Sequence, residues 1–272
     1  MFEYWLVRML LAWNPKPATY ARLLQLFAPR LRKVSLQNLQ LAGFADGERI
    51  TDGVFLSLGR LMWTFAQFPR ITRENVHQWI RYEGLENFTR AQAKGNGVLV
   101  ATGHLGNWEF SAYAHALMTA PMHVVVRPLD NAYLDEFVES RRGLSGNPVI
   151  RKKEAAREIL QALRSGESVG ILIDQNVLPN EGVFIDFFGR KACAGTAFVK
   201  FAHHTGAAVV PGFALWSEVE QRYVLHFLPE VPMEGDVQAD TQQVHTVLEG
   251  VIRQHPEQWL WLHRRWKTRP PL

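Results

Sequence analysis

A histidine and a glutamate stand five positions apart in the stretch HLGNWE, residues 104 to 109, directly after the apolar run GVLVAT. Asn107 can cap a helix that begins there, which places Glu109 in the first helical turn, where the helix dipole favours an ionised carboxylate. His104 lies in the preceding loop. The carboxylate can therefore accept one imidazole N–H and leave the other nitrogen free as a general base. This pair predicts removal of a proton from a substrate hydroxyl.

Two other interpretations of the pair stay open. A metal site needs at least one further ligand, and the adjacent His203 and His204 would point to different sides of a helix, so no metal centre is predicted. In the structural alternative, the histidine and glutamate only cap the helix. A serine triad on a G-x-S-x-G elbow is not indicated, because that motif does not occur in the sequence.

The elements around these residues alternate between short β-rich segments and helical ones, which predicts an α/β fold with a mostly parallel central sheet flanked by helices. Strands are predicted at residues 97 to 102, 123 to 127, 168 to 174, 207 to 215 and 223 to 228. Helices are predicted at about 107 to 119, 131 to 142, 153 to 165 and 194 to 205.

Polar side chains end the first three predicted strands. His104 follows the first, Arg127 ends the second, and Asp174, Gln175 and Asn176 come at the end of the third. Ligands bind at the carboxyl ends of the strands in sheets of this kind. We therefore expect these side chains to share one crevice.

The N-terminal region has a different character. We divide the chain into helices at residues 1 to 33 and a catalytic domain at residues 34 to 272, whose first part, to about residue 90, is mainly helical and broken at Pro69. The segment MFEYWLVRMLLAW is apolar but too short to span a bilayer. It predicts helices that lie in a membrane interface, anchored by Tyr4, Trp5 and Trp13. The alternative is an amphipathic helix packed on the protein's own core.

Composition adds weaker constraints. The net charge of +4 suggests acidic partners such as phosphates, anionic lipids or an acidic carrier protein. No nucleic-acid-binding motif is present, so nucleic acid is not predicted as a partner. The single cysteine, Cys193, excludes an internal disulfide framework and fits a reducing, cytoplasmic setting.

Four ordered segments resemble the bacterial lipid A biosynthesis acyltransferases, a branch of the lysophospholipid acyltransferase superfamily. HLGNWE is similar to their H-x-x-x-x-E catalytic block, and residues 125 to 143 are similar to their second block. ILIDQN with the following GVFIDFFGRKACAGTAFVKFAHHTGAAVVP resembles the third, and residues 255 to 270, HPEQWLWLHRRWKTRP, resemble the C-terminal signature. The resemblance covers nearly the whole chain.

The resemblance implies transfer of a fatty acyl group from a thioester, usually on acyl carrier protein, to a hydroxyl of a glycolipid at the cytoplasmic face of the inner membrane. It implies His104 as general base and Glu109 as its partner. It also implies phosphate or carrier contacts for Arg127 and Arg142, with Asp174 and Gln175 lining the cleft and Asn107 in contact with substrate. No cofactor is implied beyond the acyl-carrier-protein or acyl-CoA cosubstrate. Relatives often begin with a spanning helix, whereas this N-terminus favours peripheral attachment.

Direct attack of the hydroxyl on the thioester needs only a base and an oxyanion site. The oxyanion donors are expected to be either backbone N–H groups near Gly106 and Asn107 or an arginine. The run HRRWK either binds an acidic group or forms a structural ion-pair cluster. The phenylalanines of GVFIDFFGRKA, Phe184, Phe187 and Phe188, either line an acyl channel or belong to the core.

Two rival functions stay open at this point. The first keeps the chemistry but changes the acceptor to a lysophospholipid, a mannosylated glycolipid or an aminolipid, with acyl-CoA as a possible donor. The second is a catalytically silent membrane-binding protein that retains the fold. Intact His104 and Glu109 argue against the second.

Overall fold

The computed structural model of the chain describes residues 2–151 and 155–271. Its helices, numbered in chain order, are α1 (Phe2–Trp13), α2 (Pro17–Phe27), α3 (Pro29–Leu41), α4 (Gly47–Gln67), α5 (Leu85–Gln92), α6 (Trp108–Met118), α7 (Ala132–Gly143), α8 (Ala155–Arg164), α9 (Ala197–Thr205) and α10 (Val237–Gln254). Its strands are β1 (Ile80–Glu83), β2 (Val98–Thr102), β3 (His123–Val126), β4 (Val149–Arg151), β5 (Ser168–Leu172), β6 (Gly182–Phe187), β7 (Arg190–Gly195), β8 (Ala208–Ser217) and β9 (Arg222–Phe227).

Seven strands form the central sheet in the order β1-β9-β8-β2-β5-β3-β4. Every neighbouring pair is parallel except β8 and β9, which form an antiparallel hairpin. The remaining strands, β6 and β7, pair with each other as a separate antiparallel hairpin. The predicted fold class, a mostly parallel sheet flanked by helices, is confirmed.

Helices cover both faces of the sheet, and the alternation of side chains along β2 shows how. Val98 and Val100 point into a core cluster shared with α4 and α6, whereas Leu99 and Ala101 point into a cluster shared with α8 and α9. A third cluster joins the β6–β7 hairpin to α10 and the tryptophans of the C-terminal segment. Burial on both faces explains why the central strands are continuous apolar runs.

The N-terminal helices pack against α4. Tyr20 and Ala21 of α2 are buried, and Leu11 of α1 joins the core beneath α6. Close approach of α2 requires Gly59 of α4, because a Cβ there would lie 2.2 Å from the carbonyl oxygen of Pro17. The structure thus shows amphipathic packing of these helices on the chain itself.

All five predicted strands form, with ends that differ by one or two residues. The third, β5, ends at Leu172, so Asp174 lies in the loop beyond the sheet. Helix α4 ends at Gln67, followed by a short 3-10 helix that contains Pro69, as the sequence predicted. Four features were not predicted from the sequence: β1, β4, the β6–β7 hairpin and α10.

Candidate active site

His104 lies in the loop between β2 and α6, and its hydrogen-bond partner is Asp174 in the loop after β5. The imidazole Nδ1 is 2.8 Å from Asp174 Oδ1, and the backbone N–H of His104 donates to Asp174 Oδ2 at 2.8 Å. The predicted hydrogen bond from His104 to Glu109 is not formed. The parallel strands β2 and β5 are neighbours, so the loops that follow them lie together. This brings the imidazole into hydrogen-bond contact with Asp174 and not with Glu109 of α6.

Asp174 is held ionised by its surroundings. Its side chain is 3% exposed, and Trp259 Nε1–H donates to Oδ2 at 2.8 Å. Burial alone would raise the pKa of this carboxyl, but His104 and the N–H donors outweigh burial and lower the pKa to about 2. An ionised Asp174 fixes the hydrogen of His104 on Nδ1. The lone pair of Nε2 is then available as a base.

The protonation of His104 follows from the same contacts. Burial alone would lower the pKa of the imidazole, but the charge and hydrogen bond of Asp174 and the nearby charge of Glu109 outweigh burial and raise that pKa. Both carboxylates therefore favour the imidazolium, the form that exists after the base has accepted a proton.

Glu109 pairs with Arg142 of α7 instead of with the histidine. Arg142 Nε donates to Oε2 at 2.8 Å and Nη2 donates to Oε1 at 2.5 Å, a bidentate geometry. The two side chains are 16% and 21% exposed. The guanidinium that was predicted to contact phosphate or a carrier protein is therefore occupied by Glu109, and the pair joins the start of α6 to the end of α7.

Asn107 caps α6 as predicted, since its Oδ1 accepts the N–H of Phe110 at 3.0 Å. The same side chain is fully buried, so the structure contradicts its predicted contact with substrate. The backbone N–H groups of Gly106 and Asn107, one of the two alternatives for the oxyanion donors, are already paired: that of Gly106 donates to Gln258 O at 2.9 Å, and that of Asn107 donates to Ala214 O at 2.8 Å. These bonds anchor the loop that carries His104.

The remaining predicted residues lie at the open side of the site. Gln175 is exposed, and its Nε2 is 3.4 Å from His104 Nε2, the nitrogen with the free lone pair. The side chain of Arg127 is 78% exposed, with Asp130 3.7 Å away as a weak ion-pair partner. Asp174 was predicted to line the cleft, but it is buried behind His104, where it orients the imidazole.

A cavity of about 860 Å³ opens beside the histidine at the carboxyl ends of the strands. His104, Glu109, Gln175 and Arg127 stand around its polar mouth. Apolar side chains line two lobes below the mouth, one between the sheet and α6 and one between the sheet and α8 and α9. Across residues 2–151 and 155–271, no three side chains of metal-ligand type converge on a point that could hold an ion.

The sequence model for bacterial lipid A biosynthesis acyltransferases matches residues 14–268. The chain belongs to this family. It is 29% identical to the lipid A biosynthesis palmitoleoyltransferase of Escherichia coli K12, over 90% of this chain and 81% of that protein. It is 27% identical to the lauroyltransferase of the same organism, over 98% and 93%. A phosphatidylinositol mannoside acyltransferase of Mycobacterium tuberculosis is 27% identical, over 77% and 68%.

In this lipid A acyltransferase family member, the C-terminal segment completes the site, a role that was not predicted from the sequence. Leu260 N–H donates to His104 O at 2.9 Å, and Trp259 contacts Asp174 as described. The two tryptophans of the WLWLH run, Trp259 and Trp261, are completely or almost completely buried. Their burial indicates a structural role and not a role at the surface. Within HRRWK, Arg265 is fully buried and donates to Cys193 O at 2.6 Å, which favours the structural interpretation for this residue.

The phenylalanines of the β6–β7 hairpin do not line the cavity of this acyltransferase. Phe187 and Phe188 belong to the third core cluster, with ring centroids 5.8 and 6.4 Å from that of Trp259. The channel interpretation for these residues is therefore wrong. Among the residues that the structure describes, no helix combines the length and the apolar character needed to cross a bilayer.

Proposed function

We propose that this acyltransferase moves a fatty acyl chain from an acyl thioester on acyl carrier protein to a hydroxyl of a lipid A precursor. The observation that carries the proposal is the His104–Asp174 pair at the mouth of a large apolar cavity. The base faces the place where a polar reaction centre would lie, and the cavity below offers an apolar environment for a fatty chain.

The reaction follows from the geometry of the base. The acceptor hydroxyl attacks the thioester carbonyl carbon while His104 Nε2 takes the hydroxyl proton, and Asp174 stabilises the imidazolium that results. The tetrahedral intermediate then collapses, the carbon–sulfur bond breaks, and the leaving thiolate receives the proton from His104. An ester and a thiol are formed, and no covalent enzyme intermediate is required.

The oxyanion of the intermediate needs hydrogen-bond donors. With Gly106 and Asn107 N–H already paired, we assign this role to Gln175, whose amide nitrogen lies 3.4 Å from the base. Arg127 stands at the same mouth with little ion pairing and suits a phosphate of the acceptor, because its planar fork can donate two hydrogen bonds.

Peripheral attachment at the cytoplasmic face of the inner membrane is part of the proposal. Trp5, Met9 and Trp13 of α1 are at least half exposed, and Leu26 and Phe27 end α2 with most of their surface in solvent. Exposed basic side chains accompany them, and these would favour anionic lipids or an acidic carrier protein: Arg8, Lys16, Arg22, Arg30 and Lys33. Helix α1 also lies beside the cavity mouth, since Glu3 Oε2 accepts from Asn131 Nδ2 at 3.0 Å.

The test is an acyl-transfer assay with purified protein in detergent. A mixed pool of acyl-carrier-protein and CoA thioesters is offered with a lipid A precursor and a panel of lysolipids, and products are read by mass spectrometry. Transfer from the carrier protein to the lipid A precursor supports the proposal. Transfer only to other lipids would contradict the acceptor, and transfer only from CoA would contradict the donor.

The base assignment has its own prediction. His104→Ala should lower turnover at least about 100-fold, the scale expected for loss of a positioned base, while the unfolding temperature stays close to that of the wild type. A folded variant with less than a tenfold loss would contradict the assignment.

A second acceptor class is supported by one comparison. The mannoside acyltransferase is 27% identical over 77% of this chain, whereas the lauroyltransferase has the same identity over 98%, so the comparisons favour a lipid A precursor and leave the mannosylated glycolipid as the second candidate. The mannosylated glycolipid is therefore included in the acceptor panel. If the enzyme prefers the mannosylated glycolipid over the lipid A precursor, the reaction is the same but the acceptor belongs to another pathway.

A further inference from the structure

The cavity lobe beside α6 has one wall made by a single helical face. Trp108, Ser111, Ala112 and His115 line the lobe at positions i, i+3, i+4 and i+7 of α6. Two of them, Ser111 and Ala112, are small and leave room between the helix and the sheet. The lobe therefore extends downward from the catalytic histidine along the helix.

The opposite wall is the sheet, and a glycine interrupts it. Gly170 of β5 lies between Val100 of β2 and Val124 of β3 in the strand register, and all three line the lobe. Leu172 and Thr102 form the pair nearest the histidine, so Gly170 lies two residues deeper, roughly 7 Å along the strand. The gap left by the glycine is thus in the lower part of the lobe.

Space is what this glycine provides. Its φ is not in the left-handed region, so residues with side chains can adopt its backbone conformation. A Cβ at Gly170 would meet only Met122 Sδ at 3.5 Å and His123 O at 3.8 Å, which are ordinary contacts. A glycine inside a strand weakens the strand and often marks a place where a ligand comes close to the backbone. The space beside Gly170 therefore indicates a ligand that fills it.

Met122 closes the lobe beneath this gap and is held in place. Its side chain is buried, and its backbone N–H donates to Asn147 Oδ1 at 2.9 Å. Asn147 Nδ2 in turn donates to Ala112 O of α6 at 2.9 Å. The asparagine therefore ties the floor of the lobe to the helical wall, which gives the lobe a fixed depth.

We infer that Gly170 and Met122 set the length of the acyl chain that this enzyme accepts, with the chain passing over Gly170 and its methyl end stopping at Met122. The inference rests on the proposed function, because it places the donor's acyl chain in the α6 lobe. It adds the two residues that determine specificity. The thioester then lies at the histidine and the methylenes lie along α6.

The experiment uses thioesters of increasing chain length, four variants in the α6 lobe and Phe198→Ala in the α8–α9 lobe. Gly170→Ala and Gly170→Leu fill the gap in two steps, and Met122→Ala removes the floor. Met122→Leu is the matched control, since it keeps the volume of the side chain. Thermal unfolding of each variant checks the fold.

For the acyl chain that the wild type prefers, Gly170→Leu should lower kcat/KM at least tenfold, because a single methylene in an apolar pocket changes selectivity by about 10- to 200-fold. Activity on a shorter acyl chain should be retained. Gly170→Ala should give a smaller shift in the same direction. Met122→Ala should shift the optimum to longer chains, and Met122→Leu should leave it within about one methylene.

Binding gives a readout that does not depend on the acceptor. Displacement of a fluorescent fatty acid by fatty acids of graded length should show the same order of preference in the same variants. Folded Gly170→Leu and Met122→Ala proteins with the wild-type length profile would overturn the inference. A profile that shifts only with Phe198→Ala, in the α8–α9 lobe, would also overturn it. Chain-length shifts in binding without acyl transfer would instead contradict the proposed function and leave standing only a fatty-chain site whose length is set by Gly170 and Met122.

Discussion

At the residue scale, the proposed base is part of a group of three residues from distant parts of the chain. His104, Asp174 and Trp259 form a continuous hydrogen-bonded series that runs from the cavity mouth into the core. Glu109 stands outside this series and pairs with Arg142. Glu109 therefore acts on His104 through its charge and through the placement of α6, and the direct hydrogen-bond contact belongs to Asp174.

Replacement of the buried carboxylate should change the pH profile. His104 must be neutral to accept a proton, so kcat/KM falls as pH drops through its pKa, and Asp174 raises that pKa. Asp174→Asn should therefore move the acidic limb to lower pH and lower the plateau of kcat at least about tenfold, because the orientation of the imidazole is lost. An unchanged acidic limb in a folded variant would show that Asp174 does not act on the base.

Two tryptophans of the C-terminal segment provide a matched test of the hydrogen bond that Asp174 accepts from Trp259. Trp259 Nε1–H donates to Asp174, whereas Trp261 Nε1–H donates to Pro256 O at 2.7 Å. Trp259→Phe removes a hydrogen bond that stabilises the Asp174 carboxylate, so the carboxylate should attract the proton of the imidazolium more strongly. The pKa of His104 should then rise, and the acidic limb of kcat/KM should move to higher pH by up to about one unit. Trp261→Phe should lose a neutral hydrogen bond of similar length without moving the limb. Equal pH profiles for the two variants would contradict the assignment.

At the element scale, the loop that carries the histidine depends on one close approach. Gly106 has a φ of 64°, and a Cβ there would lie 2.0 Å from Ala214 O of β8. The loop N–H groups of Gly106 and Asn107 are anchored on the C-terminal segment and β8. The position of the base is thus set by backbone packing on both sides.

Gly106→Ala should disturb both the fold and the site. The left-handed conformation costs a side-chain residue about 1–3 kcal/mol, and the clash with Ala214 O adds to this. We expect a lower free energy of unfolding in denaturant titrations and loss of most acyl transfer. Gly250→Ala in α10, where a Cβ meets nothing within 4 Å, is the control and should retain activity. Wild-type stability in Gly106→Ala would show that the loop can relax without cost.

The same scale explains what the sequence could predict. Apolar runs located every central strand next to the site, and strand ends correctly brought His104 close to Asp174 and Gln175. Whether His104 bonds to Asp174 or to Glu109 depends on how the loop after β2 and the loop after β5 lie relative to each other in the folded chain. The spacing of residues along the sequence does not encode this arrangement. The missed hairpin has no β-branched residue in β7, RKACAG. It forms because the turn at Phe188 and Gly189, both with positive φ, pairs β7 with β6.

At the scale of the whole molecule, an apolar surface lies beside the cavity mouth. Trp5 and Trp13 of α1 are 51% and 65% exposed, and Tyr4 contacts Tyr133 of α7 at 5.9 Å between ring centroids. Leu129, at the cavity rim, is also exposed. Contact of this surface with a membrane would bring the mouth to the level where a lipid acceptor resides.

Charge on this surface should weaken vesicle binding. Trp5→Glu combined with Trp13→Glu removes two aromatic anchors and adds two negative charges, so the partition of the protein onto anionic vesicles should fall about tenfold or more in a sedimentation assay. Val219→Glu changes an exposed valine in the β8–β9 turn and should leave partition nearly unchanged. Equal partition of both variants would contradict the proposed membrane surface.

The support of His104 by Trp259 also has a consequence in time. Trp259 follows His104 by about 155 residues, and ribosomes add roughly 5–20 residues per second, so the tryptophan is synthesised about 10–30 seconds after the histidine. During that interval the growing chain already holds the base but lacks the donor that satisfies Asp174 and the strand-like contact from Leu260. The hydrogen bonds from Trp259 to Asp174 and from Leu260 to His104 can therefore form only after residues 259 and 260 have left the ribosome, so His104 acquires its full set of contacts late in synthesis.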